Sequence, residues 1–272
     1  MKKKEKLINK CERLIRKIGC PRWLHHFGPK KYEVVHHFVA LLLKQECKLG
    51  YRRVTQILRS LGIKCPCYSA LWHFQNRMPL VLWQRLLAAT NTKQSHLVAL
   101  DGTGICRPLP SPYYYYRIDK PYPVEIPLKL SIAIDTKTKK ILALRLRAKK
   151  AHDIKDAKYL IKRIKPPKFI VADKAYDARW LHEYCSQQGI KCCIPKRRWG
   201  KARFHNFSHR ERNQKYLHPK RYHRREMVES VFKAVKTKFG TSVSSVKISA
   251  QRAEMYCRAI AHNIIFIFLP TF

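Results

Sequence analysis

Apolar residues in the first third of the chain recur at helical spacing. One run extends over Tyr32–Leu49 and another over Val54–Leu61, and Gly50 and Gly62 interrupt them. Apolar positions that recur every three or four residues are typical of amphipathic helices, and glycine commonly separates such helices. The pattern predicts that residues 1–92 form a small all-α domain.

Two of the predicted helices, Tyr51–Ser60 and Tyr68–Arg77, flank a short turn at residues 61–64. Their lengths and the position of Gly62 are those of a helix-turn-helix unit, whose second helix enters the major groove of DNA. We call residues 68–77 the reading helix. Its candidate base contacts are Ser69, His73, Gln75, Asn76 and Arg77. A helical domain that serves only packing shows the same pattern, so this alternative stays open.

From residue 96 the pattern changes to short apolar runs typical of strands, and later to alternating helices and strands. The predicted strands are His96–Leu100, Leu128–Asp135, Ile141–Arg147, Phe169–Ala172 and Ile190–Ile194. The predicted helices are Ile154–Ile164, Ala178–Gln188, Tyr222–Phe239 and Ala250–Phe268. This order predicts an α/β domain over residues 93–272, a ribonuclease H-like mixed five-stranded sheet flanked by helices.

The charge of the chain indicates a polyanionic partner. There are 58 Lys and Arg residues against 17 Asp and Glu residues, a formal net charge of +41. This excess goes beyond what solubility needs and favours nucleic acid as the partner. The basic residues are spread among apolar strands and helices, which favours a folded enzyme over a ribosomal or chromatin-type protein with low-complexity arms.

Two aspartates follow predicted strands. Asp101 follows the first strand and precedes Gly102-Thr-Gly104, which predicts a tight turn, and Asp173 follows Phe169–Ala172. If these two strands are neighbours, both carboxylates lie at the same edge of the sheet and can share a hard cation. Either aspartate alone is equally compatible with a helix cap or a turn.

A third carboxylate lies on a later predicted helix. Tyr222, Arg225, Glu229 and Lys236 are separated by three, four and seven residues, so they share one helical face. A neighbouring apolar stripe consists of Val228, Val231, Val235 and Phe239. The helix is therefore expected to pack on the sheet and to present Glu229 toward the two aspartates. An ordinary solvated helix face is the alternative.

These three motifs resemble those of one family. The segment from Tyr222 to Lys236 resembles the Tyr-(2)-Arg-(3)-Glu-(6)-Lys signature of insertion-sequence DDE transposases. Asp101-Gly-Thr and Ala172-Asp173-Lys-Ala-Tyr-Asp177 resemble the first and second carboxylate motifs of that family. The resemblance implies that Asp101, Asp173 and Glu229 are the catalytic residues of a metal-dependent polynucleotidyl transferase.

The resemblance also implies a cofactor. Phosphodiester cleavage of this kind uses two Mg²⁺ ions, for which Mn²⁺ substitutes, about 4 Å apart; they activate the nucleophile and stabilise the leaving oxygen. Asp101 is expected to bridge both ions, and Asp173 and Glu229 to hold one each. Tyr222, Arg225 and Lys236 are expected to hold the phosphates that flank the scissile bond.

The partners implied are double-stranded DNA and a second copy of the chain. The family binds the terminal inverted repeats of its element, cleaves the ends and joins them to target DNA, within a synaptic complex in which we expect a homodimer. A structure-selective nuclease or resolvase of the same fold, and a non-mobile DNA-binding derivative, stay open as alternatives. No apolar run is long enough to span a bilayer, so we expect a cytoplasmic, nucleoid-associated protein.

Three further features of the sequence lead to predictions. The segment 195–221, called here the basic segment, combines aromatic and basic residues and predicts a DNA-tracking loop, with Lys196, Arg197 and Arg198 as phosphate contacts; a solvated basic insertion is the alternative. Tyr113–Tyr116 would stack on unpaired bases or cover the sheet edge, and we expect the latter. Asp153 and Asp177 are expected to cap the helices that follow them.

Overall fold

The computed structural model describes residues 2–24, 30–91, 93–109, 111–123, 125–149, 151–197 and 208–265. The chain divides into two compact units, one of residues 1–90 with 237–272 and the other of residues 91–236. The helices are α1 (Lys2–Lys17), α2 (Val34–Glu46), α3 (Tyr51–Ser60), α4 (Tyr68–Arg77), α5 (Leu80–Ala89), α6 (Pro112–Arg117), α7 (Ile154–Ile161), α8 (Arg179–Gln187), α9 (Ser208–Gln214), α10 (Pro219–Tyr222), α11 (Glu226–Phe239) and α12 (Ile248–Ile265). The strands are β1 (Leu97–Arg107), β2 (Ile126–Asp135), β3 (Ile141–Arg147), β4 (Phe169–Val171) and β5 (Lys191–Cys193).

The first unit is helical, as the apolar periodicity predicts. Its core contains Phe38, Leu41, Trp83 and Leu86, all fully buried. Helix α12 packs against α2, α4 and α5. The sequence-based division placed residues 237–272 with the sheet, whereas in the structure the described part of this range, residues 237–265, clusters with the N-terminal helices. Helix α12 is buried on nearly every side, so it must pack against several other helices. The helical unit provides these contacts.

A buried charge network fixes α12 in this unit. Glu254 is fully buried, and its carboxylate pairs with Arg258 at 2.7 Å and accepts the backbone N–H groups of Ser244 and Ser245 at 3.0 Å. Arg258 Nε also donates to Gln45 Oε1 on α2 at 3.2 Å. Burial raises the pKa of Glu254, but Arg258 and the backbone donors outweigh it and hold the pKa below its usual value. The network therefore stabilises the ionised carboxylate.

The second unit contains a five-stranded mixed sheet with the strand order β3-β2-β1-β4-β5. Strands β1, β2 and β3 pair antiparallel, whereas β4 pairs in parallel with both β1 and β5. Residues of α7 and α8, including Leu160 and Leu181, share one core with Val98 and Leu100 of β1. The predicted ribonuclease H-like arrangement of a mixed sheet flanked by helices is confirmed.

Strand β1 is longer than predicted. Its pairing with β2 runs without interruption from Val98 to Arg107, so Asp101 lies inside the strand and Gly102 and Gly104 form no turn. The expectation of a tight turn was wrong because the long β2 provides a hydrogen-bonding partner for this backbone. A Cβ atom at residue 102 would collide with Asp153 and Lys129, whereas residue 104 has open space. The absence of a side chain at Gly102 therefore lets Asp153 and Lys129 approach the backbone of β1 closely.

In the ranges that the structure describes, no helix is both long enough and apolar enough to cross a bilayer.

Candidate active site

Asp101 lies in β1, and Asp173 lies just beyond the end of the neighbouring strand β4. The parallel register of β1 and β4 places Ala99 opposite Val171, and each aspartate follows two residues later. Asp101 Oδ1 accepts a hydrogen bond from the Gly102 N–H at 2.7 Å. Asp173 Oδ1 accepts one from the Ala175 N–H at 2.8 Å and caps a short 3-10 turn at Lys174–Tyr176. Side chains two residues apart in an extended chain share a face, so both carboxylates lie on the same face of the sheet.

Asp101 is held in an environment that disfavours its charge. Its side chain is 18% exposed. Burial raises its pKa, the charges of Asp173 and Asp153 raise it further, and the Gly102 N–H and Arg225 oppose the change. A carboxylate in this position is stabilised by any cation that approaches it.

Arg225 connects two of the three predicted carboxylates. Its Nη2 lies 3.1 Å from Glu229 Oε1, and its Nη1 lies 3.7 Å from Asp101 Oδ2. Burial lowers the pKa of Arg225, but Glu229, Tyr222 and Asp101 outweigh burial and raise it above the usual value. The helical face predicted from the spacing is therefore turned toward β1, with the guanidinium between Asp101 and Glu229.

Lys236 lies further along the same face. Its Nζ donates to Thr103 Oγ1 at 2.9 Å, and Thr103 is two residues after Asp101 in β1. The single long helix predicted for residues 222–239 is wrong in detail, because Tyr222 ends α10 and residues 223–225 form a 3-10 turn before α11 begins. The apolar stripe is as predicted, with Val228 and Val231 buried. The stripe therefore orients the polar face despite the interruption.

A fourth carboxylate, that of Asp153, lies against Gly102, on the face of β1 opposite to Asp101. The sequence pattern assigned Asp153 to a helix cap. Asp153 forms an ion pair with Lys129, and its side chain makes no capping hydrogen bond to α7. Asp153 does occupy the N-cap position of α7, as predicted, but its carboxylate pairs with Lys129 of β2 instead of bonding to the first turn of the helix. Gly102 beside Asp101 and a lone lysine in an apolar strand were the sequence signals for this arrangement.

Tyr176 is a further residue that the sequence reasoning missed. Its ring is fully buried, and within the described residues its hydroxyl has no hydrogen-bond partner. Burial raises its pKa well above the usual value, and the charges of Asp153, Asp101 and Asp173 add to this effect. The buried hydroxyl therefore lies within the field of four aspartates, the fourth being Asp156.

The donor chemistry at this edge fits a hard divalent cation only in part. Carboxylate oxygens are the ligands that Mg²⁺ prefers, and Asp101 and Asp173 provide them on adjacent strands. In the part of the chain that the structure describes, however, no three His, Cys, Asp or Glu side chains are close enough together to hold one ion. Glu229 has a 58% exposed side chain and pairs with Arg225. The two aspartates therefore fit, and Arg225 stands between them and Glu229.

A buried chain of hydrogen bonds anchors the basic segment. Asp177 accepts from the Arg197 N–H at 2.7 Å and pairs with His182 Nε2 at 3.1 Å. His182 Nδ1 lies 3.0 Å from Asn213 Nδ2, and Asn213 Oδ1 accepts the Cys192 N–H at 3.2 Å. Because the amide Nδ2 can only donate, the histidine proton is on Nε2. Asp177 does not cap α8, whose first cap residue is Ala178.

The basic segment is partly folded onto the sheet. Lys196 and Arg197 are exposed, whereas Arg198 lies outside the described residues, as do residues 199–207. Arg221 lies over the Phe169 ring at 4.0 Å and donates to the Tyr216 carbonyl at 2.6 Å. Helices α9 and α10, which the pattern did not predict, occupy its second half. This part covers β4 and β5 rather than forming an open loop.

The reading helix is present, but its context differs from the expectation. Seven residues, 61–67, separate α3 from α4, more than the three or four of a helix-turn-helix.

Four of the candidate base contacts remain accessible. Ser69, His73 and Arg77 are exposed, and Asn76 is half-buried. Gln75 must be withdrawn as a candidate. It is 1% exposed, and its amide bonds with Tyr51, Ser245 and Ala250.

The chain was compared with known proteins. The family described as the transposase DDE domain matches residues 92–264. Among solved structures, the chain is similar to the piggyBac transposase in a synaptic complex with hairpin DNA, at 13% identity and a TM-score of 0.46, over 96% of this chain and 72% of the other. It is also similar to a chain of the Mos1 strand transfer complex, at 13% identity and a TM-score of 0.30, over 93% and 83%. The search of curated proteins found no match.

Proposed function

Because this chain belongs to the transposase DDE domain family, we propose that it binds the terminal inverted repeats of its element, cleaves their ends in a metal-dependent reaction and joins the freed 3′-hydroxyls to target DNA. The observation that supports this most is the arrangement at β1. Asp101 and Asp173 follow paired positions of adjacent strands, and Arg225 bridges Asp101 and Glu229.

Asp101 and Asp173 are the proposed metal ligands, and Glu229 completes the set. Two Mg²⁺ ions held there, or Mn²⁺ in their place, would supply the charge that activates the nucleophile and stabilises the leaving oxygen. Arg225 then exchanges its carboxylate partners for a phosphate of the bound DNA, to which a guanidinium donates two parallel hydrogen bonds. This exchange releases Glu229 toward the aspartates. DNA binding and assembly of the catalytic carboxylates are thereby coupled.

Lys236 and Tyr222 hold the phosphates beside the scissile bond. The Lys236 ammonium lies on the same face as Arg225, and its hydrogen bond to Thr103 leaves it free to donate to a second acceptor. Lys196 and Arg197 extend the positive surface along the duplex, with Arg198 next in sequence. Ser69, His73, Asn76 and Arg77 are the proposed base contacts to the terminal repeats, and the active species on DNA is a homodimer.

The test uses the purified chain and linear DNA that carries its own element ends. We expect strand cleavage at the ends with Mg²⁺ or Mn²⁺, and joining of the 3′ ends to a target plasmid; DNA with scrambled ends is the control. Cleavage without any joining would favour the nuclease or resolvase alternative. Binding of the ends without cleavage would favour the non-mobile derivative.

A matched pair of variants on α11 tests the register of the third carboxylate. Glu229→Gln removes one ligand charge and should lower cleavage by orders of magnitude while DNA affinity stays near that of the wild type. Glu226 is 61% exposed and its carboxylate lies 3.5 Å from His223, so Glu226→Gln should be tolerated. If Glu226→Gln abolishes cleavage and Glu229→Gln does not, the third carboxylate is misassigned.

A further inference from the structure

Helix α6 carries a cluster of tyrosines that the catalytic site does not use. The chain has four consecutive tyrosines, Tyr113–Tyr116, in the connection between β1 and β2. The expectation that they cover the sheet edge was wrong for most of them. Tyr113 is 69% exposed, Tyr114 is 46% exposed and Tyr116 is 83% exposed. Large rings left in water lack the stabilisation that burial would give them. A cluster of such exposed rings is typical of a binding surface.

The most exposed rings share one side of the helix. Tyr113 and Tyr116 are three residues apart, and Arg117 is four residues after Tyr113, so all three project from the same face. The neighbouring rings brace the helix from another side, because Tyr115 packs edge-on against Tyr114 at 5.6 Å and against Tyr122 at 5.5 Å. The result is a braced helix that presents two rings and one guanidinium. We call Tyr113, Tyr116 and Arg117 the tyrosine platform.

The charge around the platform favours a polyanion. Arg117 and Lys120 are exposed beside the rings, and Asp119 is the single acidic residue of segment 111–123. An aromatic surface flanked by guanidinium and ammonium groups matches single-stranded nucleic acid, whose bases stack on rings while its phosphates pair with cations. A duplex offers no unpaired base faces along its length. A surface of this kind favours unpaired over paired strands and is tolerant of base sequence.

We propose that the tyrosine platform binds unpaired bases of single-stranded DNA by stacking on Tyr113 and Tyr116. This surface is separate from the carboxylates, because β1 continues six residues beyond Asp101, or about 20 Å at strand rise, before the connection begins. The inference goes beyond the proposed function. Stacking needs neither metal nor cleavage, so the two proposals fail in different experiments.

The test measures the affinity of the full chain for a fluorescent oligo-dT and for a duplex of equal length, without divalent metal and at fixed salt. Tyr113→Ala with Tyr116→Ala should weaken oligo-dT binding about tenfold or more, because each stacked base contributes substantially to affinity. Duplex affinity should change less than twofold. Tyr113→Phe with Tyr116→Phe keeps both ring faces and should bind oligo-dT as the wild type does.

Two controls separate stacking from other effects. Trp180 is a 40% exposed aromatic residue on α8, and Trp180→Ala should leave oligo-dT binding unchanged. Tyr113→Leu with Tyr116→Leu keeps apolar bulk and helix propensity, so loss of binding in this variant assigns the effect to the aromatic faces. Circular dichroism checks folding of each variant.

Three outcomes would overturn the proposal. The first is unchanged oligo-dT binding in the double alanine variant. The second is equal loss in the phenylalanine and alanine variants, which would indicate hydroxyl hydrogen bonds instead of stacking. The third is a double alanine variant that keeps its affinity for oligo-dT but has a lower molar mass by light scattering than the wild type. This result would assign the platform to contacts between copies of the chain.

Discussion

At the scale of single residues, basic side chains pair with the carboxylates of the site. Arg225 lies between Asp101 and Glu229, and Lys129 pairs with Asp153 on the other face of the same strand. Carboxylates in such proximity repel one another, and each cation reduces that repulsion. The structure therefore holds the carboxylates in place before any metal binds.

Removing Arg225 should separate metal binding from catalysis. Without DNA, Arg225→Ala leaves Asp101 and Glu229 uncompensated, so the apparent affinity for Mn²⁺ should rise about fivefold, the equivalent of a partly exposed ion pair of about 1 kcal/mol. Cleavage should nevertheless fall, because a phosphate contact is lost. Isothermal titration with Mn²⁺ measures the first effect. Weaker Mn²⁺ binding in Arg225→Ala than in Lys236→Ala would contradict this account.

Gly102 and Gly104 provide a matched pair in one strand. A methyl group at residue 102 displaces the Asp153–Lys129 pair, whereas at residue 104 it meets open space. Gly102→Ala should therefore be less stable than Gly104→Ala by about 1 kcal/mol, the scale of one such ion pair. Urea denaturation of both variants measures the difference. Equal midpoints and slopes would show that the close approach at residue 102 carries no energy.

The sequence predicted these residues unevenly. Asp101, Asp173 and Glu229 were candidates because motif spacing and strand position are local properties. The geometry supports their convergence only in part, since Glu229 is held by Arg225. Gln75 was misassigned, and the ion pair of the N-cap residue Asp153 with Lys129 was missed, because local sequence does not reveal which side chains another segment of the chain will engage.

At the scale of elements, helix limits set by local signals were predictable. Helices α3 and α4 begin and end at the predicted residues. The continuation of β1 through Gly102 and Gly104 was not predictable. Glycine favours a turn locally, and only pairing with β2 overrides this preference. Helix α9 was missed for a similar reason, since its contacts with β5 and α8 are distant in sequence.

His182 should be required for the element contacts around β5. His182→Leu leaves the buried carboxylate of Asp177 and the amide of Asn213 without their shared partner, at a cost of about 1–3 kcal/mol. We expect a lower midpoint of thermal unfolding and faster trypsin cleavage within the basic segment. His218 is exposed, and His218→Leu should change neither. Unchanged protease resistance in His182→Leu would show that the network does not anchor this segment.

Glu254 should stabilise the helical unit in a pH-dependent way. Because the folded pKa of Glu254 lies below its usual value, its stabilisation is fully present above the unfolded pKa of about 4.3 and is lost as pH falls through the lower folded value. Near pH 7, Glu254→Ala should cost about 3–5 kcal/mol, because Arg258 stays buried without its carboxylate. Denaturation at several pH values measures this.

Glu12, a half-buried residue of α1, provides the comparison for Glu254. Its carboxylate lies 3.9 Å from Arg16 on the surface of α1, and Glu12→Ala should change stability by less than about 1 kcal/mol at any pH. A difference between wild type and Glu254→Ala that does not shrink in acid would contradict the assigned pKa direction.

At the scale of the whole molecule, charge and family agree on the partner class. A formal charge of +41 on 272 residues favours long polyanions, and the family is that of the transposase DDE domain. The assignment of α12 to the helical unit could not be predicted, because an apolar helix face does not specify which neighbour will cover it. That β1 and β4 are neighbours could be inferred from the order of elements, because chain connectivity restricts the possible sheet orders.

The rate of metal-dependent end cleavage by Asp101→Asn, measured at equal DNA occupancy, tests the central claim most directly. The Asp101 side chain is less exposed than that of Glu229, the other candidate that pairs with Arg225. Asparagine keeps the shape of Asp101 while removing its charge. Since metal-ion stabilisation is worth several kcal/mol, cleavage should fall about a thousandfold or more while affinity for the element ends stays the same or rises. Cleavage by Asp101→Asn at the wild-type rate would contradict the proposed site.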